Sequence, residues 1–284
     1  MSERRKQLII VRGGGDIATG TIHKLHRCGY PVLVLETGYP SAIRRNVAFS
    51  EAVYDGASEV EGVRCVHVKD YAQAVQVMEQ QDVALMVDPE GAVLNEVRPW
   101  ALIDGILAKK NLGTNRQMAD KTIGLGPGFE AGKDVDLVIE TMRGHNLGRI
   151  IGRGRAAANT GIPGMIGGYG KERVIHSPAK GIMQNFCQIG DRVKKGQAIA
   201  AVVTGQGEVL VEASLDGILR GLIRSGYPVT EGLKIADIDP RESEWENCFT
   251  ISDKARCIAG SVLEGLLYLE EKQGKQGLDM LSQI

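Results

Sequence analysis

A glycine-rich turn flanked by acidic residues is the first place where this sequence could do chemistry. Arg12-Gly13-Gly14-Gly15-Asp16-Ile17-Ala18-Thr19-Gly20 contains G-x-G-x-x-A between a short apolar run and a helical pattern. Glycines there allow a tight turn and let an anion meet backbone N–H groups at a helix start, where the helix dipole favours negative charge. Glu36 ends the next apolar run, 23 residues after Gly13. In a dinucleotide-binding unit a carboxylate at that place accepts from ribose hydroxyls. Gly13, Gly14, Gly15 and Glu36 are therefore candidate cofactor-binding residues, although the same glycines would also serve a turn that only packs helix on sheet. Asp16 points the other way. A carboxylate in the loop repels phosphate unless it caps the helix or meets Arg12; aimed into a crevice, it is a candidate acid–base group.

Two more segments hold candidate residues. Gly124-Leu125-Gly126-Pro127-Gly128-Phe129 follows an apolar run. A loop at a strand's carboxyl end is where open α/β sheets place ligand contacts, so Gly126 and Gly128 join the cofactor-binding set. Glu140 to Arg149 also follows an apolar run. Arg143 and Arg149 suit bidentate recognition of phosphate or carboxylate, and His145 is a candidate proton carrier near neutral pH. No two histidines stand at i, i+4 around a carboxylate, and no cysteine pair has zinc spacing, so no metal site is expected.

These residues need elements to hold them. Leu8 to Val11 reads as a buried strand, Ala18, Ile22 and Leu25 as a helix stopped by Gly29, and Val32 to Leu35 as a second strand. That is β-α-β, which joins parallel strands by a right-handed crossover. Further strands read at Arg64 to Val68, Ala84 to Val87, Thr122 to Leu125 and Leu137 to Ile139, with helices at Tyr71 to Glu79 and Pro99 to Ala108. His23 and His26 fall on the polar flank of the first helix, facing solvent.

From about Arg173 the texture changes to short apolar runs between glycines. Gly181, Gly190, Val193, Gly196 and Ile199 are matched by Gly217, Gly226, Val229, Gly232 and Ile235, each pair 36 residues apart. Two equivalent halves, each with one apolar face, are expected to interleave into a flattened barrel around Ile182, Val193, Ile199, Ile218, Val229 and Ile235. A last helix reads from Asp253 to Lys272, with Ser252 as N-cap and an apolar stripe from Ala255 to Leu269. That stripe suits packing within the chain or a homo-oligomer, and the tail after Gly274 is expected to fray. The fold class is thus α/β: a Rossmann-like, mostly parallel sheet over 1–172, an all-β barrel-sandwich over 173–240, and a linker with a C-terminal helix over 241–284.

Residues 173–239 resemble a biotinyl/lipoyl-type domain, through Ser177 to Gly181, Ile189 to Gln197 and Leu215 to Leu219. The carrier lysine of such domains tips a hairpin, which falls here at Thr204-Gly205-Gln206-Gly207. Gln206 cannot form the amide link, so no covalent biotin or lipoate is expected. The whole chain resembles the YqeB-type proteins associated with selenium-dependent molybdenum hydroxylases. The matching residues are the Arg12 to Gly20 loop, Gly124 to Gly132, Asp134 to Asp136, Val138 to Thr141, Arg143 to His145, Leu147 to Arg149, Lys234 to Arg241 and Ile251 to Ala255. That resemblance implies an accessory role in maturing the molybdenum cofactor, with the hydroxylase or its cofactor as partner.

Three readings of function stay open. One is a maturation factor that holds a nucleotide or a molybdopterin-type cofactor, the second is an NAD(P)-dependent oxidoreductase, and the third is a pure scaffold with an empty Rossmann pocket. Net charge is −1, hydrophobic residues make up 43% and charged residues 24%. No basic field draws such a chain to nucleic acid or an anionic membrane. No run approaches a membrane span. Five scattered cysteines fit reduced cytoplasmic thiols.

Overall fold

The computed structural model describes residues 3–161 and 164–274. The chain forms two compact units, one of Met1–Pro40, Phe49–Asn159 and Ile251–Ile284, the other of Ser41–Ala48 and Thr160–Thr250.

In the large unit the strands are β1 (Ile9–Arg12), β2 (Val32–Glu36), β3 (Ala57–Val60), β4 (Val63–Val68), β5 (Val83–Val87), β6 (Ala101–Asp104), β7 (Thr122–Leu125), β8 (Glu130–Ala131), β9 (Leu137–Ile139), β10 (Ile150–Ile151) and β11 (Gly154–Arg155). The helices are α1 (Asp16–Arg27), α2 (Ala52–Asp55), α3 (Tyr71–Glu79) and α4 (Asp253–Gly274). Nine strands form one sheet in the order β10-β9-β7-β6-β1-β2-β5-β4-β3. The interior pairs are parallel, while β3 and β10 close the edges antiparallel. β8 and β11 make a separate antiparallel pair. β1, β2, β6 and β7 are buried almost end to end, which is why they read as continuous apolar runs.

The Rossmann-like fold class is corrected by this topology. The sheet is mixed, β5 lies between β2 and β4, and the connections from β5 to β9 carry no α-helix. The last helix is not an appendage after the β unit: α4 returns to the large unit and packs on α1. A helix expected over Pro99 to Ala108 is instead β6, paired with both β1 and β7. Ala101-Leu102-Ile103-Asp104 is buried on every side, and an apolar run that short has no period to separate strand from helix.

α4 also explains a second correction. A Cβ on Gly20 would lie 2.8 Å from the Ala255 Cβ, so α1 and α4 touch backbone to backbone. The contact buries the flank of α1 expected to face water, and His23 is only 6% exposed. Ser252 Oγ accepts from the Ala255 N–H and caps α4 as expected. Its stripe of Ala255, Ile258, Val262 and Leu266 is buried within the unit. The tail after Gly274 lies outside the described residues.

Burial holds both His23 and His26 below the ordinary histidine value; for His23 the Glu61 carbonyl, its ring partner at 3.3 Å, opposes the shift, as Asp82 does for His26. The folded state therefore binds fewer protons than the unfolded one between the lowered values and about 6.5, and stability rises with pH across that window. The urea midpoint is expected to fall as pH drops from about 7 towards 5. In a His23→Gln/His26→Gln double variant that slope should flatten; an unchanged slope would assign the acid sensitivity elsewhere.

In the small unit the strands are β12 (Val174–His176), β13 (Gly181–Asn185), β14 (Arg192–Val193), β15 (Ala198–Thr204), β16 (Gly207–Glu212), β17 (Gly217–Leu222), β18 (Pro228–Val229) and β19 (Lys234–Asp239). They form two four-stranded antiparallel sheets, β12-β19-β17-β14 and β16-β15-β13-β18. The 36-residue repeat appears as exchanged pairing: Gly181 pairs with Val229, and Gly217 with Val193. A Cβ at Gly181 would strike the Val203 carbonyl, and one at Gly217 the Asp239 carbonyl, two positions again 36 apart. Strand crossing at equivalent points is what demands glycine twice. Val193, Ile199, Ile218, Val229 and Ile235 are in the core, whereas Ile182 is 46% exposed because Met183 takes the inward place. Gln206 stands exposed in the turn between β15 and β16.

Candidate functional site

The carboxyl ends of β1, β2, β6, β7 and β9 carry the candidate residues, and their chemistry starts with who already holds each backbone amide. Gly13 has φ +90°, and its N–H donates to the Leu35 carbonyl at 2.8 Å. A Cβ there would sit 3.0 Å from the Ile106 backbone. The Gly14 N–H donates to Glu36 Oε2 at 2.7 Å, and the Gly14 carbonyl accepts from Ser50 N–H at 2.9 Å. Both residues are glycine because the chain passes close to itself. Gly15 differs: it precedes α1 as N-cap, and among the described residues no side chain caps the helix and nothing lies within 4 Å of where its Cβ would be.

Glu36 braces this turn. Its second oxygen accepts from Thr37 N–H at 2.7 Å. Burial pushes its carboxyl up, and the Gly14 and Thr37 amides oppose that rise. Arg12 turns away from the loop. It lies 3.8 Å from Asp104 and donates to Thr114 Oγ1 at 2.6 Å and the Pro89 carbonyl at 2.8 Å. It therefore does not serve as a partner for Asp16, which occupies the first turn of α1.

Gly126 and Gly128 also sit at close approaches. Gly126 has φ +78° and donates its N–H to the Ile139 carbonyl; a Cβ would lie 2.5 Å from Thr141 Oγ1. At Gly128 a Cβ would be 2.8 Å from the Lys110 backbone.

The loop after β9 is organised by Glu140, which is 6% exposed. Its Oε1 accepts from Met142 N–H and its Oε2 from Ala157 N–H. Arg143 forks onto Asp253 through two bonds of 2.8 Å, tying the loop to the start of α4. His145 and Arg149 are exposed on the same loop. The structure thus ties Arg143 to Asp253 at the start of α4, the helix that packs on α1, whose own start carries Gly15 and Asp16. Glu36, Gly13 and Gly14 form the floor of the first turn, while Gly126 and Gly128 serve the loop after β7.

Glu140, Asp253 and Lys254 were given no role by sequence reasoning. Their types were visible in Val138 to Thr141 and Ile251 to Ala255. Their meeting depends on a helix more than a hundred residues further along the chain, which periodicity does not locate. Among the described residues no group of His, Cys, Asp and Glu is arranged to hold a metal ion, and all five cysteines are free thiols. Among the described residues no helix is long and apolar enough to cross a membrane.

No family model matches the chain. Over 275 residues, 97% of its length, it is 46% identical to the uncharacterized protein YqeB of Escherichia coli (strain K12). The alignment covers 50% of that protein, so the chain spans about half the length of the curated relative it matches. Among solved structures it is similar to an aspartoacylase family protein from Mesorhizobium loti (13% identity, TM-score 0.28, covering 82% of this chain and 85% of that one). It is also similar to a succinylglutamate desuccinylase from Silicibacter sp. TM1040 (12%, 0.25, covering 82% and 84%). A third is the apo ectoine utilization protein EutE (DoeB) from Ruegeria pomeroyi (9%, 0.25, covering 81% and 85%). At TM-scores this low no chemistry transfers from any of the three.

Proposed function

From the likeness to YqeB across nearly this whole chain, we propose an accessory factor that holds a phosphate-bearing cofactor, a nucleotide or a molybdopterin-type pterin, during maturation of a molybdenum hydroxylase. The hydroxylase link rests on the family resemblance. The carrying observation for ligand holding is the uncapped start of α1 at Gly15, open above and set at the carboxyl edge of the parallel strands. A helix start without a side-chain cap keeps donors for an anion. Arg149, exposed on the neighbouring loop, adds a guanidinium.

The same geometry ranks the ligands. A dinucleotide needs several loop amides for its pyrophosphate and a free carboxylate for its ribose. Here the Gly13 and Gly14 amides are spent on Leu35 and Glu36, and each Glu36 oxygen already accepts a backbone N–H. A single terminal phosphate fits the remaining donors of the α1 first turn better, which favours the pterin or a mononucleotide over a nicotinamide dinucleotide.

A thermal-shift titration of the full chain with molybdopterin, CTP, ATP, NAD(H) and NADP(H) tests this. A single-phosphate-ended ligand is expected to stabilise by about 3 kcal/mol at roughly a hundredfold excess over Kd, and Arg149→Ala should weaken that response. Selective NAD(H) binding with hydride turnover would favour the oxidoreductase instead, and no response to any ligand would remove the binding role.

A further inference from the structure

A cavity of about 220 Å³ opens beside α1, away from the glycine turn, and its walls are basic. Lys24 and Arg27 line it from the last turn of α1, and Arg256 from the first turn of α4. Arg256 is already paired. Its Nη2 donates to the two Glu61 oxygens at 2.6 and 2.7 Å, and its Nε to the Ile251 carbonyl at 3.2 Å. Among the described residues Lys24 and Arg27 make no hydrogen bond or ion pair. Lys24 Nζ lies 3.9 Å from where a Cβ on Gly260 would be, so its charge reaches across to α4. Three cations thus share one carboxylate, in a chain whose net charge is −1. The dipole of α1 accounts for cations at its own end, which is negative. It does not account for Arg256, which stands at the positive end of α4. Three like charges around one hollow repel each other, and an anion between them removes that cost.

We propose that this hollow binds the phosphate head of a small phosphomonoester, with Lys24 and Arg27 as its direct contacts and Arg256, held in place by Glu61, as the third charge. The Arg27 guanidinium suits two phosphate oxygens at once, while the Lys24 ammonium is a compact charge with rotatable donors. Size narrows the ligand. Pockets that bury a drug-sized molecule run to roughly 300–1,000 Å³. A hollow of about 220 Å³ takes a phosphate with a short organic group and excludes a dinucleotide. The site is separate from the start of α1. Lys24 stands nine residues beyond Gly15, roughly 13 Å along the helix axis, so this assignment does not depend on an anion at that edge. His23 also lines the hollow, 6% exposed, with Nε2 at 3.3 Å from the Glu61 carbonyl oxygen. Burial first, then the Arg27 and Arg256 charges, hold its ring below the ordinary histidine value, against the Glu61 carbonyl and carboxylate. The ring therefore reports on any charge that enters.

Histidine-ring NMR of the full chain tests this, with the His23 signals assigned from a His23→Gln variant. Inorganic phosphate and glycerol 3-phosphate are the probes, each matched by sodium chloride at equal ionic strength. Both probes are expected to move the His23 signals saturably and to raise its titration midpoint, because a bound dianion offsets Arg27 and Arg256. Chloride should give only the smaller drift of general screening. Lys24→Gln/Arg27→Gln should melt like the parent, since neither side chain has a partner to lose, and should weaken binding about tenfold or more for each cation removed. Lys24→Arg/Arg27→Lys keeps both charges and should still bind. The absence of a saturable His23 response would overturn the site, as would one that chloride reproduces or that survives in the Lys24→Gln/Arg27→Gln variant. A saturable response confined to His145 would also overturn it, while leaving phosphate binding at the start of α1 intact.

Discussion

Replacing Asp104 by alanine is expected to lower the unfolding free energy by about 3–5 kcal/mol, the largest loss expected from any single exchange near the glycine turn. Arg12 and Asp104 are 3% and 1% exposed. They sit at the carboxyl ends of neighbouring strands β1 and β6, paired residue to residue. Thr114 links them, accepting from Arg12 and donating its hydroxyl to Asp104 Oδ2 at 2.6 Å. Asp104 Oδ1 accepts from Ile106 N–H, the segment on which Gly13 packs. Removing the carboxylate leaves a guanidinium in the interior with no counter-charge. The pair itself is not a source of net stability: burial pushes the Asp104 carboxyl up in spite of Thr114, Ile106 and Arg12. An Arg12→Met/Asp104→Leu double variant should therefore recover most of the loss. Chemical denaturation of the two variants checks this. A single variant that loses under about 1 kcal/mol would show that water reaches Arg12 and rescues it.

The residues of this network show what was readable from sequence and what was not. β1, α1 and β2 are legible because a four-residue apolar run, a helical period and a glycine stop follow one another. α3 is legible as well, since Tyr71 to Glu79 carries the period and Asp70 caps it by accepting from Gln73 N–H. β6 was misread because Ala101 to Asp104 is buried on both faces and so carries no alternation. The positions of Gly13, Gly14, Gly126 and Gly128 were legible as special, but their use was not. The missing Cβ serves a ligand or a passing backbone equally well, and here Ile106, Ser50, Thr141 and Lys110 fill the space. Gly15 alone of the five keeps it open. The Rossmann-like expectation failed for a related reason: a βαβ start sets the hand of one crossover, but the placement of β5 between β2 and β4 depends on contacts that no local pattern records. The packing of α4 on α1 was out of reach altogether. An apolar stripe says that a helix face is covered, and it does not say that α1 covers it.

That covering contact gives the second large effect. Gly20→Leu is expected to destabilise the large unit by about 2–3 kcal/mol, with a matching fall in the melting temperature. A Cβ at position 20 would meet the Ala255 Cβ at 2.8 Å and the Ala255 carbonyl carbon and oxygen at 3.0 Å. Two of those three atoms are backbone, so no rotamer change relieves the clash and the helices must move apart. Ala255 is 1% exposed, so the contact lies in the interior of the unit. Separation of the helices therefore exposes the buried apolar stripe of α4 to water. Gly260→Leu on α4 is the control, because the nearest atom to a Cβ there is the flexible end of Lys24 at 3.9 Å. It should leave melting close to that of the parent. If Gly20→Leu melts like the parent, the close approach of α1 and α4 at this point is not what holds the two helices together.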